Sequence, residues 1–181
     1  LNDHHNYTAY YSEIFSSRKN TIKSFLEVGL GTNNINIPSN MGLSGKPLAS
    51  LRAWRDYFPK AQIYGADIDR EILKNEERIK THFVDQNDPL TISEMFKNFN
   101  EEKFDIIIED GLHEYNANIC FFENAINYLS VDGIYIIEDV FYKDIRKFEK
   151  YFKKTKYNFS IVEIFHKKNI ANNTLIKITK T

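Results

Sequence analysis

The chain has 181 residues, of which 42% are hydrophobic and 27% are charged, a composition typical of one globular domain with its own core. Its 24 basic and 25 acidic residues give a formal net charge of −1, which disfavours nucleic acid and anionic membranes as partners. The single cysteine, Cys120, excludes an internal disulfide and fits a reducing compartment. We expect a soluble cytoplasmic protein of one domain, residues 1–181, without a signal peptide or membrane span.

The N-terminal segment 7–17 carries aromatic and apolar residues at helical spacing. This pattern predicts an amphipathic helix appended to the domain, packed on the sheet or on a partner rather than acting as a substrate lid. His4 and His5 precede the helix, and the sequence leaves open whether they belong to a disordered arm or act as ligands.

The segment 24–31, SFLEVGLG, is a short apolar run that ends in glycines. It predicts a buried strand leading into a turn where the backbone comes close to a ligand. The following segment 32–49 is rich in Asn, Ser, Gly and Pro and predicts a long functional loop. Ser50 resembles an N-cap for a helix that stops at Pro59.

Strand and helix patterns alternate along the rest of the chain. The predicted strands cover 62–66, 80–84, 104–108 and 133–137. One predicted helix begins at Asp69, and three others cover 89–99, 115–129 and 141–152. Two last runs, 159–165 and 174–179, flank a turn and predict an antiparallel hairpin. The alternation indicates an α/β fold with a doubly wound, mostly parallel sheet.

Acidic residues follow several predicted strands. Open parallel sheets bind ligands outside the carboxyl ends of their strands, so these side chains are expected at the binding edge. Asp67 ends the second strand, where a carboxylate can accept hydrogen bonds from both hydroxyls of a ribose. The sequence therefore predicts a nucleoside-containing cofactor at this edge.

The glycine turn alone fits NAD, FAD or S-adenosylmethionine. A dinucleotide site requires a third glycine and a helix that begins at the pyrophosphate. Here the turn runs into TNN and the long loop. A cofactor without phosphates fits this segment better.

Five motifs together resemble the class I S-adenosylmethionine-dependent methyltransferases: FLEVGLG, YGADID, DQND, FDIIIEDGLH and GIYIIEDV. The stretch GKPLASLRAWRDYFPKAQIYGADID is similar to the branch that includes macrolide sugar O-methyltransferases of the macrocin and mycinamicin type and methyltransferases of bacterial surface-sugar clusters. The resemblance covers residues 24–141. It implies a Rossmann-like sheet of seven strands in which the last hairpin is inserted antiparallel.

The same resemblance implies the site residues. Contacts to S-adenosylmethionine are expected at ten positions: Glu27, Gly29, Gly31, Ser50, Arg52, Asp67, Ile68, Asp85, Gln86 and Asp110. A divalent cation, Mg²⁺ or another, is expected on Asp110 and Asp139, and His113 is expected to act as the catalytic base beside Asp110. The motif that usually reads DGSH in this family reads DGLH here, so the contact that the serine hydroxyl would make is absent.

The residues themselves agree with this cation site. Neighbouring parallel strands lie about 4.8 Å apart, so carboxylates at their ends can share one ion. Mg²⁺ prefers oxygen ligands at about 2.1 Å, and Glu138 or the substrate is a further source of oxygens. The alternative for Asp110 and Asp139 is helix N-capping, since each precedes a helical pattern. His113 lies three residues after Asp110, where it can take a proton from a hydroxyl.

Together with these residues, the resemblance implies an S-adenosylmethionine-dependent methyltransferase acting on a sugar hydroxyl, in the biosynthesis of capsule or surface polysaccharide or of natural-product sugars. We expect the acceptor to be a sugar or nucleotide-sugar, bound by the loop 32–46, the N-terminal helix or a second subunit of a homo-oligomer. One alternative is an NAD-dependent oxidoreductase, which the missing third glycine and the absent Tyr-x-x-x-Lys pair disfavour. The other is a cofactor-binding module of the same fold without catalysis.

Overall fold

A computed structural model describes residues 5–169 and 171–180, so His4 lies outside the described residues. Within these described residues there are seven strands: β1 Ser24–Val28, β2 Gln62–Asp67, β3 Ile79–Phe83, β4 Phe104–Glu109, β5 Leu129–Ile137, β6 Asn158–Glu163 and β7 Thr174–Thr179. They form one sheet in the order β3-β2-β1-β4-β5-β7-β6. β1 to β5 pair in parallel, and β7 pairs antiparallel with both β5 and β6. The predicted fold class, including the antiparallel C-terminal strands, is confirmed.

In the part of the chain that the structure describes, five α-helices cover the two faces of the sheet: α1 Thr8–Phe15, α2 Ala49–Tyr57, α3 Pro89–Phe99, α4 Tyr115–Ala125 and α5 Ile145–Phe152. Successive residues of a strand point to opposite faces, and each central strand therefore contributes to two apolar cores. Phe25 of β1 packs with side chains of α1 and α2. Leu26 packs on the other face with side chains of α3, α4 and α5.

Three predicted helices differ from the structure. The helix predicted for 115–129 ends at Ala125, because a 3₁₀ turn, Ile126–Tyr128, leads from it into β5, which begins at Leu129 and not at residue 133. After β2 the chain makes only a 3₁₀ turn, Arg70–Ile72, because Asp69 accepts the N–H of Glu71 and Leu73 returns to an extended conformation. The last helix begins at Ile145 instead of residue 141, because a turn in which Asp144 N–H donates to the carbonyl of Phe141 precedes it.

Ser50 does not act as an N-cap, so that prediction is wrong. The N-cap of α2 is Leu48, which has a left-handed backbone with φ of 64°. Ser50 lies inside the helix, and its hydroxyl instead donates to the carboxylate of Glu27 at 2.7 Å. The alternative that Asp110 and Asp139 are helix caps also fails, because α4 and α5 begin later and have Glu114 and Asp144 at their N-cap positions.

No helix along residues 5–169 and 171–180 combines the length and the apolar character needed to cross a bilayer.

Candidate active site

The glycine turn after β1 lies against the exit of β4. Gly29 has φ of 94° and Gly31 has φ of 77°, values that side chains other than glycine rarely tolerate. A Cβ on Gly29 would overlap the backbone carbonyl of Asp110. The amide of Gly29 donates to Ala66 at 2.9 Å, and the amide of Asp110 donates to Val28 at 2.7 Å. The ends of three neighbouring strands are thereby joined into one rim.

A cavity of about 620 Å³ opens along this rim, a volume within the usual range for small-molecule sites. Eight of the ten positions predicted to contact the cofactor line it: Gly29, Gly31, Ser50, Asp67, Ile68, Asp85, Gln86 and Asp110. The lining also contains His113 and Asp139. The structure thus brings most of the predicted site residues to the surface of one cavity.

Asp67 holds the turns on either side of it. Its Oδ2 accepts the N–H of Leu30 at 2.6 Å, and its Oδ1 accepts the N–H of Asp69 at 2.8 Å. Burial raises the pKa of Asp67, and these backbone donors oppose the rise. Each carboxylate oxygen can accept more than one hydrogen bond, so Asp67 retains capacity for ligand hydroxyls. Beside it, Ile68 is 47% exposed and offers an apolar surface to a ring.

Among the described residues, Glu27 and Arg52 do not line the cavity. Glu27 is buried under the start of α2, and burial raises its pKa to about 7 although Ser50 and Trp54 hydrogen-bond to it. The guanidinium of Arg52 pairs with Glu76 at 2.8 and 3.1 Å. The structure therefore does not place these two predicted residues in contact with the cavity.

Gln86 braces the loop that follows β4. Its Oε1 accepts the N–H of Leu112 at 2.8 Å, and its Nε2 donates to Glu109 at 2.7 Å. A Cβ on Gly111 would overlap Oε1 of Gln86, the atom that accepts the N–H of Leu112. Glu109 is fully buried and also accepts hydrogen bonds from two further side chains of the same core, Asn118 and Tyr135.

Asp110, His113 and Asp139 form one cluster at the ends of β4 and β5. One ligand atom from each lies within 4.8 Å of the others. The Nε2 atom of His113 is 3.9 Å from Oδ1 of Asp110 and 3.8 Å from Oδ2 of Asp139. His113 and Asp139 have φ of 58° and 54°, a left-handed conformation that is uncommon for residues other than glycine and that concentrates at functional sites. The cluster is therefore a candidate reaction centre.

The electrostatics of the cluster favour a bound cation. Burial raises the pKa of Asp110, and the neighbouring carboxylates of Glu138, Asp139 and Glu27 raise it further. Burial also raises the pKa of Glu138. A divalent ion would relieve this repulsion between carboxylates. Burial lowers the pKa of His113, an effect that the charge of Asp139 partly opposes, and the ring is therefore neutral and able to accept a proton at neutral pH.

The N-terminal segment, from His5 into α1, reaches this cluster, which sequence reasoning missed. The hydroxyl of Tyr7 donates to Oδ1 of Asp139 at 2.6 Å, and the hydroxyl of Tyr11 donates to Glu138. His5 Nδ1 lies 2.8 Å from the same Oδ1. The available signal was chemical: a tyrosine on a buried helix face requires a partner for its hydroxyl.

A second cavity of about 570 Å³ adjoins the first. It is bounded by the loop after β4 and by the segment leading into α5, and its lining includes His113, Tyr115, Phe141, Lys143 and Lys147. His113, Leu112, Pro38 and Ser39 line both cavities. The imidazole thus lies at the boundary between two binding spaces.

Known proteins similar to this chain include sugar O-methyltransferases. Demethylmacrocin O-methyltransferase of Streptomyces fradiae is 32% identical over 136 residues, or 75% of this chain and 32% of the relative. Mycinamicin VI 2''-O-methyltransferase of Micromonospora griseorubida is 34% identical over 137 residues, or 75% of this chain and 32% of the relative. The chain thus spans about a third of the length of these relatives.

Among solved structures, the MycE methyltransferase from the mycinamycin biosynthetic pathway, in complex with Mg and SAH, aligns with a TM-score of 0.61. The aligned part is 30% identical and covers 73% of this chain and 31% of that chain. No protein-family model matches the sequence.

Proposed function

We propose that this chain, which is similar to O-methyltransferases of the macrocin and mycinamicin type, transfers the methyl group of S-adenosylmethionine to a sugar hydroxyl with the help of a divalent cation. The observation that carries the proposal is the meeting of Asp110, His113 and Asp139 at the rim of a cavity lined by the glycine turn. A nucleoside site and an acid-base cluster are thereby adjacent, as methyl transfer to an alcohol requires.

The cavity supplies the chemistry that an uncharged nucleoside needs. Asp67 offers carboxylate oxygens to ribose hydroxyls, Ile68 offers an apolar wall to the base, and Gly29 and Gly31 allow close approach of the backbone. Bound S-adenosylmethionine would supply a methyl group on a sulfonium, which is already activated for direct displacement. The long loop between Gly31 and α2 leaves no helix start at the turn, which argues for a cofactor without a pyrophosphate.

Asp110 and Asp139 fit a Mg²⁺ ion. These two carboxylates would hold the ion, since one ligand atom of each lies within 4.8 Å of the other and of an atom of His113, and carboxylate oxygens are the ligands that Mg²⁺ prefers. Mg²⁺ prefers oxygen to imidazole nitrogen, and this preference leaves His113 available as the base. Bound Mg²⁺ would supply a Lewis acid that lowers the pKa of an acceptor hydroxyl.

His113 then accepts the hydroxyl proton at Nε2, the atom that lies between the two carboxylates. Because the ring is buried and its pKa is lowered, it is neutral before the reaction, and the nearby Asp139 carboxylate stabilises the imidazolium that forms. The acceptor enters from the second cavity, where Tyr115 and Phe141 offer aromatic walls to a sugar ring. We include free sugars, nucleotide-sugars and surface-polysaccharide sugars in this acceptor class, and we place the reaction in the cytoplasm.

Turnover with a panel of sugar acceptors tests the proposal. Chelation of divalent cations should abolish methyl transfer, and added Mg²⁺ should restore it. His113→Ala should lower kcat by about 10²- to 10⁴-fold, since general base catalysis is worth that much, while the affinity for S-adenosylhomocysteine stays unchanged. Equal turnover of this variant and the wild type would exclude His113 as the base.

His82→Ala provides a matched control, because His82 lies on β3, where its Nδ1 contacts the carbonyl of Phe83. It should keep wild-type turnover. Calorimetry with S-adenosylhomocysteine and with NAD separates the methyltransferase from the oxidoreductase alternative. Binding of S-adenosylhomocysteine without turnover of any sugar would favour the cofactor-binding module instead.

A further inference from the structure

The N-terminal end of the described chain folds back onto the carboxyl end of β5. The side-chain amide of Asn6 donates to the carbonyl of Phe165 at 3.1 Å, and the amide of Asn173 donates to Oδ1 of Asn6 at 2.7 Å. These contacts with the ends of β6 and β7 bring Tyr7 beside Asp139 although 132 positions separate the two residues. The segment before α1 thus lies beside the cluster of Asp110, His113 and Asp139.

The two carboxylate oxygens of Asp139 face different neighbours. Oδ1 accepts the Tyr7 hydroxyl at 2.6 Å and lies 2.8 Å from Nδ1 of His5. Oδ2 lies 3.8 Å from Nε2 of His113, on the side of the cluster that contains Asp110. Tyr7 and Asp139 are 7% and 8% exposed, so the hydrogen bond between them is shielded from water.

We propose that Tyr7 is a positioning residue: its hydroxyl holds Oδ1 of Asp139 and so keeps Oδ2 directed at the position where a cation is shared with Asp110. The proposal rests on the proposed function, because it concerns the cation that the cluster binds. A carboxylate with one oxygen fixed in a buried hydrogen bond needs less reordering when it ligates an ion. Partners of this kind typically contribute 10- to 100-fold to metal affinity.

Tyr7→Phe tests the proposal, since it removes one oxygen and retains the ring that contacts Tyr11 at 6.3 Å between centroids. The readout is Mn²⁺ binding, followed by electron paramagnetic resonance with S-adenosylhomocysteine present; Mn²⁺ shares the preference of Mg²⁺ for carboxylates. The dissociation constant should rise at least tenfold. The affinity for S-adenosylhomocysteine and the midpoint of thermal unfolding should show that the cofactor site and the fold are retained.

Tyr10→Phe is the matched control, because Tyr10 is a half-buried tyrosine of α1, three residues after Tyr7. It should bind Mn²⁺ as the wild type does. Equal Mn²⁺ affinity in folded Tyr7→Phe and wild type would overturn the proposal. Wild-type protein that binds no Mn²⁺ would instead refute the cation in the proposed function.

Discussion

Gly29→Ala tests whether the close approach between the glycine turn and the exit of β4 holds the rim together. The substitution has two costs. Gly29 has φ of 94°, and an L-residue in the left-handed region loses about 1–2 kcal/mol. The new Cβ would also overlap the carbonyl of Asp110 and the Cα of Gly111, and overpacking of this kind adds about 1–3 kcal/mol. The expected total is about 2–5 kcal/mol.

Gly42→Ala separates the two costs. Gly42 also has a left-handed backbone, with φ of 69°, but among the described residues no heavy atom lies within 4 Å of an added Cβ. The loss should therefore be about 1–2 kcal/mol, the backbone cost alone. Both substitutions restrict the unfolded chain equally, so the effect on the unfolded state cancels in the comparison.

Urea unfolding with linear extrapolation measures both variants. Gly29→Ala should be about 1–3 kcal/mol less stable than Gly42→Ala, the part that overpacking contributes. It should also bind S-adenosylhomocysteine more weakly, because the backbone of Asp110 must move. If the two variants are equally stable, the turn tolerates a side chain and the argument for close approach at the rim is refuted.

Two further predictions concern the buried carboxylates. Burial raises the pKa of Glu27 from 4.5 to about 7, so between these values the folded state holds a proton that the unfolded chain has released. The free energy of unfolding therefore falls as pH rises through this window, by at most about 1.4 kcal/mol per pH unit. Glu27→Gln should flatten this slope in thermal or urea unfolding, whereas the exposed Glu94→Gln should retain it; an unchanged slope in Glu27→Gln would contradict the shift. Asp67→Asn should weaken S-adenosylhomocysteine binding by about 1.5–3 kcal/mol in calorimetry, the worth of hydrogen bonds to a charged acceptor, and unchanged affinity would remove Asp67 from the cofactor site.

Elements whose signals are local were predicted well. The bounds of α3 agree with the sequence because Pro89 occupies the first helical position and the Asp88 side chain accepts the N–H of Leu90. β7 was also predicted to the residue. The N-cap prediction for Ser50 was wrong because its hydroxyl donates to Glu27, a residue 23 positions earlier. The residues around Ser50 contain no signal for a partner so far away in sequence.

The rim was predictable for a different reason. Parallel strands in register bring their carboxyl ends to one edge, so the acidic residues at the ends of β2, β4 and β5 come together independently of the loop conformations. Strand register therefore predicts that Asp67, Asp110 and Asp139 lie at one edge, and all three line the same cavity. Their roles in binding the cofactor and the cation stay predictions. It could not find Tyr7, because the path of the chain before β1 depends on docking against the C-terminal strands and not on strand register.

The antiparallel direction of β7 has a practical consequence for producing the protein. Thr174 at its start lies near the reaction centre, since its carbonyl accepts the N–H of Val140, whereas Thr179 at its end pairs with Ile134 toward the opposite edge. At the other end of the chain, His5 lies 2.8 Å from the carboxylate of Asp139, so a polyhistidine tag joined before it would add imidazoles that compete for the cation. Purification handles and fluorescent fusions belong after Thr179, where they leave the cation titrations interpretable.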